Sequence, residues 1–403
     1  MELFWLEHKK LWRKKIVKIC VLLCFVYCVI FGSILSFQWF SFGSSDDYTS
    51  AFGNNFDGYT VIKDSQEYAL SFGGELTDET LQQIVSDYQQ MEADGMEEEL
   101  EKTDWQIVNS WLGTLYPELR DTSNYKTMIS YVDPDKLTGF YERRQQVLDE
   151  FLEVSGQVGA EKEYLHQIER KVEKPFRYEW VEGWSTLLGS MVADLGVVMA
   201  LFLGIVLSSL FAGEWHDNTS TLVLTTRNGW GKIALAKILT GLAFTVELFA
   251  LLAVSIVISQ LFFMGTAGWD MPIQNIKLIA VAPMNMLQAE IYEYAFVLLG
   301  AIGFAGIVMF ISAAVKNNVL TLLLSLAVVY GPMMIAEYLP YGMQKALDLI
   351  PLVGSSTDIF RTNTFRIFGK LIWSPYLLIT IPVLIGILCM PFAIKSWSRR
   401  MKA

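Results

Sequence analysis

Six long, predominantly apolar runs dominate the chain, at residues 19–39, 187–211, 233–263, 294–315, 319–336 and 371–394. A helix rising about 1.5 Å per residue needs about 18 or more such residues to cross a hydrocarbon layer about 30 Å thick, so each run predicts a membrane span. The first run ends in Phe37, Trp39, Phe40 and Phe42, suited to the headgroup level. It is too long for a signal-peptide core and no small-x-small cleavage site follows it, so it is expected to be retained. The third run exceeds the length of a crossing, which implies tilt or an extension beyond the membrane.

Between the first two spans the pattern changes to amphipathic helices. Residues 78–112 and 135–174 are strongly periodic, and Gly113, Pro117 and Pro134 punctuate the interval. Thr77 offers a capping oxygen before Asp78 and Glu79, and Leu137, Phe140, Tyr141, Val147, Leu148, Phe151 and Leu152 form one apolar stripe. The β-prone residues 59–62 leave a small sheet open. In the last connection, 337–370, Leu347, Ile350, Leu352, Ile359, Phe360 and Phe365 recur at roughly helical spacing, which fits a leaflet-bound segment or a solvated loop.

Residues 1–18 would place Phe4, Trp5, Leu11, Trp12 and Ile16 on one helix side and Lys9, Lys10, Arg13 and Lys14 on the other, predicting an interfacial helix. The fold class expected is therefore an all-α integral membrane protein. It has an N-terminal interfacial helix, six transmembrane helices and a large, mostly helical extracytoplasmic domain between the first and second spans. Its parts are residues 1–42, 43–185 and 186–403, with a connecting segment at 212–232.

Charge supplies the orientation. The 403-residue chain is 53% hydrophobic and 18% charged, with a formal charge of -11. Residues 45–185 alone carry a net -18, which leaves +7 for the remainder. Lys and Arg are retained on the cytoplasmic side of short loops, so the acidic block faces out. Lys9, Lys10, Arg13, Lys14, Lys15 and Lys18 precede the first span, and Lys395, Arg399, Arg400 and Lys402 follow the last, placing both termini inside. The acidic total argues against nucleic acid as a partner.

Candidate chemistry is sparse. The string from Gly229 to Ile233 lacks the spacer and the Ser or Thr of a phosphate-binding loop, so ATP hydrolysis is not expected of this chain. His8, His166 and His216 form no zinc-protease motif. Cys20, Cys24 and Cys28 share a helix face inside the first span, where they read as packing groups or, alternatively, a soft-metal stripe; Cys389 also falls in a span. Glu161 and Glu163 read as a solvated face. Neither a catalytic set nor a metal or cofactor site is expected.

The most informative stretch runs from Phe211 to Arg227. Acids at its start and Arg227 near its end suit a helix dipole, and Leu222, Val223 and Leu224 would be exposed on a simple loop, so they call for a protein partner. The pattern Phe211, Glu214, Thr219, Leu222, Leu224, Thr225, Thr226, Arg227 and Lys237, with the turn from Ser312 to Asn318, resembles the permease subunit of type-2 ABC exporters. Asn218 stands where that pattern commonly has Gly, and Trp230 where Arg is frequent.

The resemblance implies a bacterial plasma-membrane location and pairing of two six-span halves, same or homologous. It further implies two separate cytoplasmic ATPase subunits, which hold ATP and Mg²⁺ and dock through residues 212–232. The substrate class would be a peptide, antibiotic, lipid or other amphipathic molecule. Glu247 and Asp194 fall inside apolar runs, where a lipid-facing acid costs about 2.5–3.5 kcal/mol, and are candidates for a substrate path. A structural hydrogen bond is the alternative for Glu247. Gly300, Gly303 and Gly306 permit close helix approach, within the chain or between subunits. A second functional class, an ATPase-coupled sensor or scaffold signalling through its outer domain, fits the same layout.

Cysteines introduced at Asp94 and Asp217 test the topology. The first is expected to react with an impermeant thiol reagent on intact cells and the second only after lysis; reaction of the second on intact cells would overturn the orientation.

Overall fold

The structure, a computed structural model, describes residues 2–38, 66, 73–95, 105–121, 126–219, 231–315, 317–354, 360 and 362–399. The chain opens with α1 (Glu2–Arg13), breaks at Lys14 and continues as α2 (Lys15–Gln38), which covers the first apolar run.

The domain that follows is built from α3 (Asp78–Ala93), α4 (Trp105–Leu115), α5 (Phe140–Val154) and α6 (Ala160–Glu169). Thr77 caps α3 by accepting the backbone N–H of Thr80 at 3.2 Å. Among the described residues, each predicted periodic stretch holds two helices. The second breaks at Gly156 and Gly159, whose φ values of 73° and 59° end one helix and reset the next. Leu81, Val85, Trp111, Leu112, Leu137 and Phe140 form the domain core. A short sheet exists, but it pairs β1 (Gly74–Glu75) with β2 (Arg177–Tyr178) and so joins the two ends of the domain. Residues 59–62 lie outside the described residues.

From the domain, α7 (Glu182–Thr186) and a wide turn at Leu187–Met191 lead into α8 (Val192–His216), so the second span starts later than its apolar run. α9 (Lys232–Met264) matches the third run. α10 (Met286–Ala314) starts two turns before the fourth run. Its start is fixed by a capping box, in which the Asn285 side chain accepts from Gln288 N at 2.8 Å and the Gln288 side chain from Asn285 N at 3.1 Å. The Asn317 side chain caps α11 (Asn318–Ile335) by accepting from Leu320 N at 3.0 Å.

The last connection is neither a plain loop nor a simple leaflet helix. It contains α12 (Tyr341–Leu347) and an antiparallel hairpin of β3 (Thr364–Ile367) and β4 (Lys370–Trp373), turned by Phe368 and Gly369 at φ 49° and 79°. Pro351 and Leu352, between the two, reach into the bundle, where Leu352 packs on Gly300 and Pro351 on Gly303. The sixth run accordingly begins as strand, and α13 (Ser374–Arg399) starts at Ser374.

α8, α9, α10, α11 and α13 are the five helices long and apolar enough to cross a membrane among the described residues. The protein is a mostly helical, multi-pass membrane protein. α10 and α13 cross in backbone contact: a Cβ on Gly303 would overlap the carbonyl of Pro382, and one on Gly306 the carbonyl of Gly386. These glycines serve packing within the chain, which in hydrocarbon rests on close fit. Cys20, Cys24 and Cys28 are buried along α2, and among the described residues they belong to no group able to hold a metal.

The inter-span domain is fastened to the loop joining α9 to α10. Arg144, 0% exposed, donates to the carbonyls of Leu278 at 2.7 Å and Ala280 at 3.2 Å and pairs with Glu169 at 2.6 Å. Trp180 Nε1 donates to Met264 O at 3.2 Å, and Asn275 Nδ2 to Arg177 O at 2.9 Å. Burial would raise the Glu169 carboxyl, but hydrogen bonds and charges from Lys174 and Arg144 outweigh it and hold the group below the usual carboxylate range.

A carboxyl held low in the folded state adds stability above its unfolded value of about 4.3, and that stability is lost as pH falls through the lower folded value. The unfolding temperature is therefore expected to drop more steeply below about pH 4.3 in the native protein than in Glu169→Gln. Parallel melting curves across acidic pH would contradict the assignment.

Candidate functional site

The end of the bundle opposite the inter-span domain holds most of the residues that the sequence singles out. Glu214, in the last turn of α8, is 4% exposed. Its Oε1 accepts from Lys10 Nζ at 2.6 Å and from Lys237 Nζ at 2.8 Å, and its Oε2 accepts from the Thr219 hydroxyl. Lys237, 1% exposed in α9, also donates to Glu7 Oε2 at 2.7 Å. Four charged side chains from α1, α8 and α9 thus alternate in sign as Lys10, Glu214, Lys237, Glu7.

Beside them Lys14 Nζ donates to Ser209 Oγ at 3.0 Å. Burial, reinforced by the nearby Lys237 and Lys10 charges, pushes the Lys14 ammonium down. Burial also opposes the charge of Lys10, but the Glu214 hydrogen bond and charge outweigh it and raise that group. A cleft of about 20 Å³ between α1 and the ends of α8 and α9 has room for about one water.

Helix termination sets up this geometry. α8 ends at Asp217, and Asn218 turns the chain at φ 55°, the left-handed region that Gly favours and Asn tolerates. The Asn that departs from the family pattern therefore meets the same conformational demand. The turn lets Thr219 N donate to Glu214 O at 3.0 Å and brings its hydroxyl to the carboxylate.

Phe211 is fully buried against the Trp397 ring of α13, at 5.5 Å between centroids. Ser312 Oγ accepts from the N–H groups of Phe211 and Ala212, each at 3.1 Å, and donates to Ser208 O at 2.7 Å. The two separate segments that carry the sequence resemblance meet at this serine. Leu222, Leu224 and Arg227, with Thr225, Thr226 and Trp230, lie outside the described residues.

α1 divides its apolar side between protein and surroundings. Leu11 is buried, and the Trp12 ring stands edge-on to Phe244 of α9 at 5.6 Å, whereas Trp5, Lys9, Arg13 and, at the start of α2, Ile16 are exposed. Glu247 is the reason for part of this orientation. Its Oε2 accepts from Trp12 Nε1 at 3.0 Å, its Oε1 lies 3.2 Å from His8 Nε2, and its side chain is 44% exposed. The structure thus places Glu247 on the flank of α9 covered by α1, where it makes a hydrogen bond to a neighbouring helix. Asp194, half-buried in the first turn of α8, lies beside Tyr27 of α2.

Sequence reasoning missed three acids. Glu7 carries no local signal, because its partner is 230 positions away. Glu290 and Glu293 are buried in the first turns of α10, which the apolar run assigns to the loop. The capping motif at Asn285 and Gln288 is the signal that would have brought them into the helix. Comparison with protein-family models, curated proteins and solved structures finds no significant match.

Chemically, the arrangement is a mechanical joint: it binds α1 to the end of α8 and the start of α9, on either side of segment 220–230. Breaking a buried ion pair by removing one partner costs about 3–5 kcal/mol, because the other charge is left unpaired. Lys237→Met is therefore expected to lower the unfolding temperature markedly, and the triple variant Lys237→Met, Glu214→Leu, Glu7→Gln to recover most of the loss. A single variant as stable as the native protein would show the joint to be dispensable.

Proposed function

We propose that the chain is the transmembrane subunit of an ATP-driven exporter of the type-2 ABC kind. In this reading α2 is the sixth crossing, both termini are cytoplasmic, and residues 43–185 stand outside the plasma membrane of a bacterium. The chain pairs with a second permease half and two separate ATPase subunits to move a peptide, antibiotic, lipid or other amphipathic substrate. ATP and Mg²⁺ belong to the partner. The observation that carries the reading is the meeting of the two motif segments at Ser312, next to the charged joint from which segment 220–230 departs.

The mechanism follows from that joint. An ATPase gripping Leu222 and Leu224 pushes on the short segment between α8 and α9. Because Glu214 is held by Lys10 and Lys237, the push reaches α1, α8 and α9 together and rocks them as a body, which biases the spans between two accesses. Glu247 and Asp194 are acids within the spans that a polar substrate could meet, and Glu247 also accepts a hydrogen bond from Trp12 of α1.

A cavity of about 340 Å³ at the junction of the inter-span domain with the α9–α10 loop, lined by Lys171, Arg177, Asp270 and Gln274, favours a second reading. There the domain is a receptor and the partner ATPase drives a signal. Substrate-stimulated ATPase activity with uptake into vesicles supports export; ATPase stimulation without uptake supports the receptor.

Burial of Leu222 and Leu224 against a partner contributes about 1.5–3 kcal/mol each. The double variant Leu222→Asp, Leu224→Asp is expected to lose the ATPase on co-purification while the spans stay inserted, and Glu214→Ala to weaken stimulation of hydrolysis more than docking. Recovery of the ATPase at native yield with the double variant would refute the docking assignment.

A further inference from the structure

The exposed side of the N-terminal segment has an unusual composition. Between residues 5 and 19 the exposed side chains are Trp5, Leu6, Lys9, Lys10, Arg13, Lys15, Ile16, Lys18 and Ile19. Every one is basic or large and apolar, and none is acidic. Lys10 is engaged by Glu214, whereas Lys9, Arg13, Lys15 and Lys18 have no ion-pair partner among the described residues. Glu2, the exposed acid of α1, is two helical turns from Lys9, about 10 Å along the axis.

The arrangement is continuous with the lipid-facing surface. On α2 the exposed side runs from Lys15, Ile16, Lys18 and Ile19 directly into Leu22 and Leu23, while Val17, Cys20, Cys24 and Cys28 turn inward. On α1, Lys9 and Arg13 stand one turn apart on one face, flanked by Trp5 and Leu6. Lysine and arginine stems lie along apolar surface while their heads reach the polar layer, and tryptophan settles at the headgroup level. The strip is therefore located at the boundary between acyl chains and headgroups, with four cations that the protein leaves unneutralised.

We propose that this strip, Lys9, Arg13, Lys15 and Lys18 framed by Trp5, Leu6, Ile16 and Ile19, is a binding surface for the phosphate headgroups of anionic phospholipids in the adjoining leaflet. Zwitterionic lipid offers the same acyl chains without the net charge, so the surface distinguishes the two by headgroup. Because α1 also carries Glu7 and Lys10 of the charged joint, lipid held against the strip steadies the helix that the joint depends on. The proposal concerns the chain alone and is independent of which protein docks at segment 212–232.

The test uses the full-length protein in nanodiscs of equal phosphatidylglycerol and phosphatidylcholine, released into mild detergent, with retained lipids counted by native mass spectrometry. Each cation near an anionic surface contributes about fivefold to partitioning, so retention is expected to favour phosphatidylglycerol by at least about tenfold. The variant Lys9→Gln, Arg13→Gln, Lys15→Gln, Lys18→Gln is expected to fall to near parity. Lys9→Gln, Arg13→Gln keeps the charges beside α2 that orient the first span, and should give an intermediate ratio even if the fourfold variant inserts poorly. Native retention without headgroup preference, a native ratio in the double variant, or displacement of the lipid by millimolar inorganic phosphate would each overturn the proposal, the last by showing a soluble-anion site.

Discussion

Lys237 lies 1% exposed between helices of a membrane bundle, and an ammonium there stays charged only while carboxylates remain against it. Two do, Glu214 from the end of α8 and Glu7 from α1. That requirement fixes three distant parts of the sequence at one point. It explains why the chain breaks at Lys14, since α1 must fold back across α9 while α2 departs into the membrane. It also gives a purpose to the tight end of α8, where the left-handed Asn218 returns Thr219 to the Glu214 carboxylate.

The opposite end of the bundle uses the same device. Arg144 is fully buried and spends its donors on Glu169 and on two carbonyls of the α9–α10 loop, so the inter-span domain cannot separate from the spans without stranding a guanidinium. Between the two ends the α10–α13 crossing leaves no room for a Cβ at Gly303 or Gly306. Such a contact resists sliding, because any relative shift drives backbone into backbone. Fixed ends and a stiff middle hold the helices in one packed arrangement.

What could be read from sequence follows from the range of each interaction. Membrane crossing depends on local hydropathy, so five runs correspond to long helices, with ends displaced by up to about two turns. Caps are local as well, which is why Thr77 could be named in advance. The hairpin at residues 364–373 was hidden because its strands merge with the apolar run of α13, although Phe368–Gly369 between two β-prone quartets is a turn signal. Long-range electrostatics were illegible: Glu7 looks like any acid on an amphipathic helix, and Glu247 like a polar group in need of a cavity. The motif marked Glu214 and Lys237 as residues of interest, yet only the fold shows that they hold each other.

Glu247 adds the final constraint on α1. Midway along α9, its carboxylate accepts from Trp12 and is approached by His8, so lifting α1 away would leave an acid facing hydrocarbon at a cost of about 2.5–3.5 kcal/mol. The same movement would strand Lys237 and expose Leu11 and Trp12. α1 is thus held to α9 at two levels, about 15 Å apart along the helix axis from residue 237 to residue 247. Two such attachments prevent both sliding and hinging. A force applied to the segment between α8 and α9 therefore meets a unit of α1, the end of α8 and the start of α9 that moves whole, because every partial movement leaves a charge without its partner.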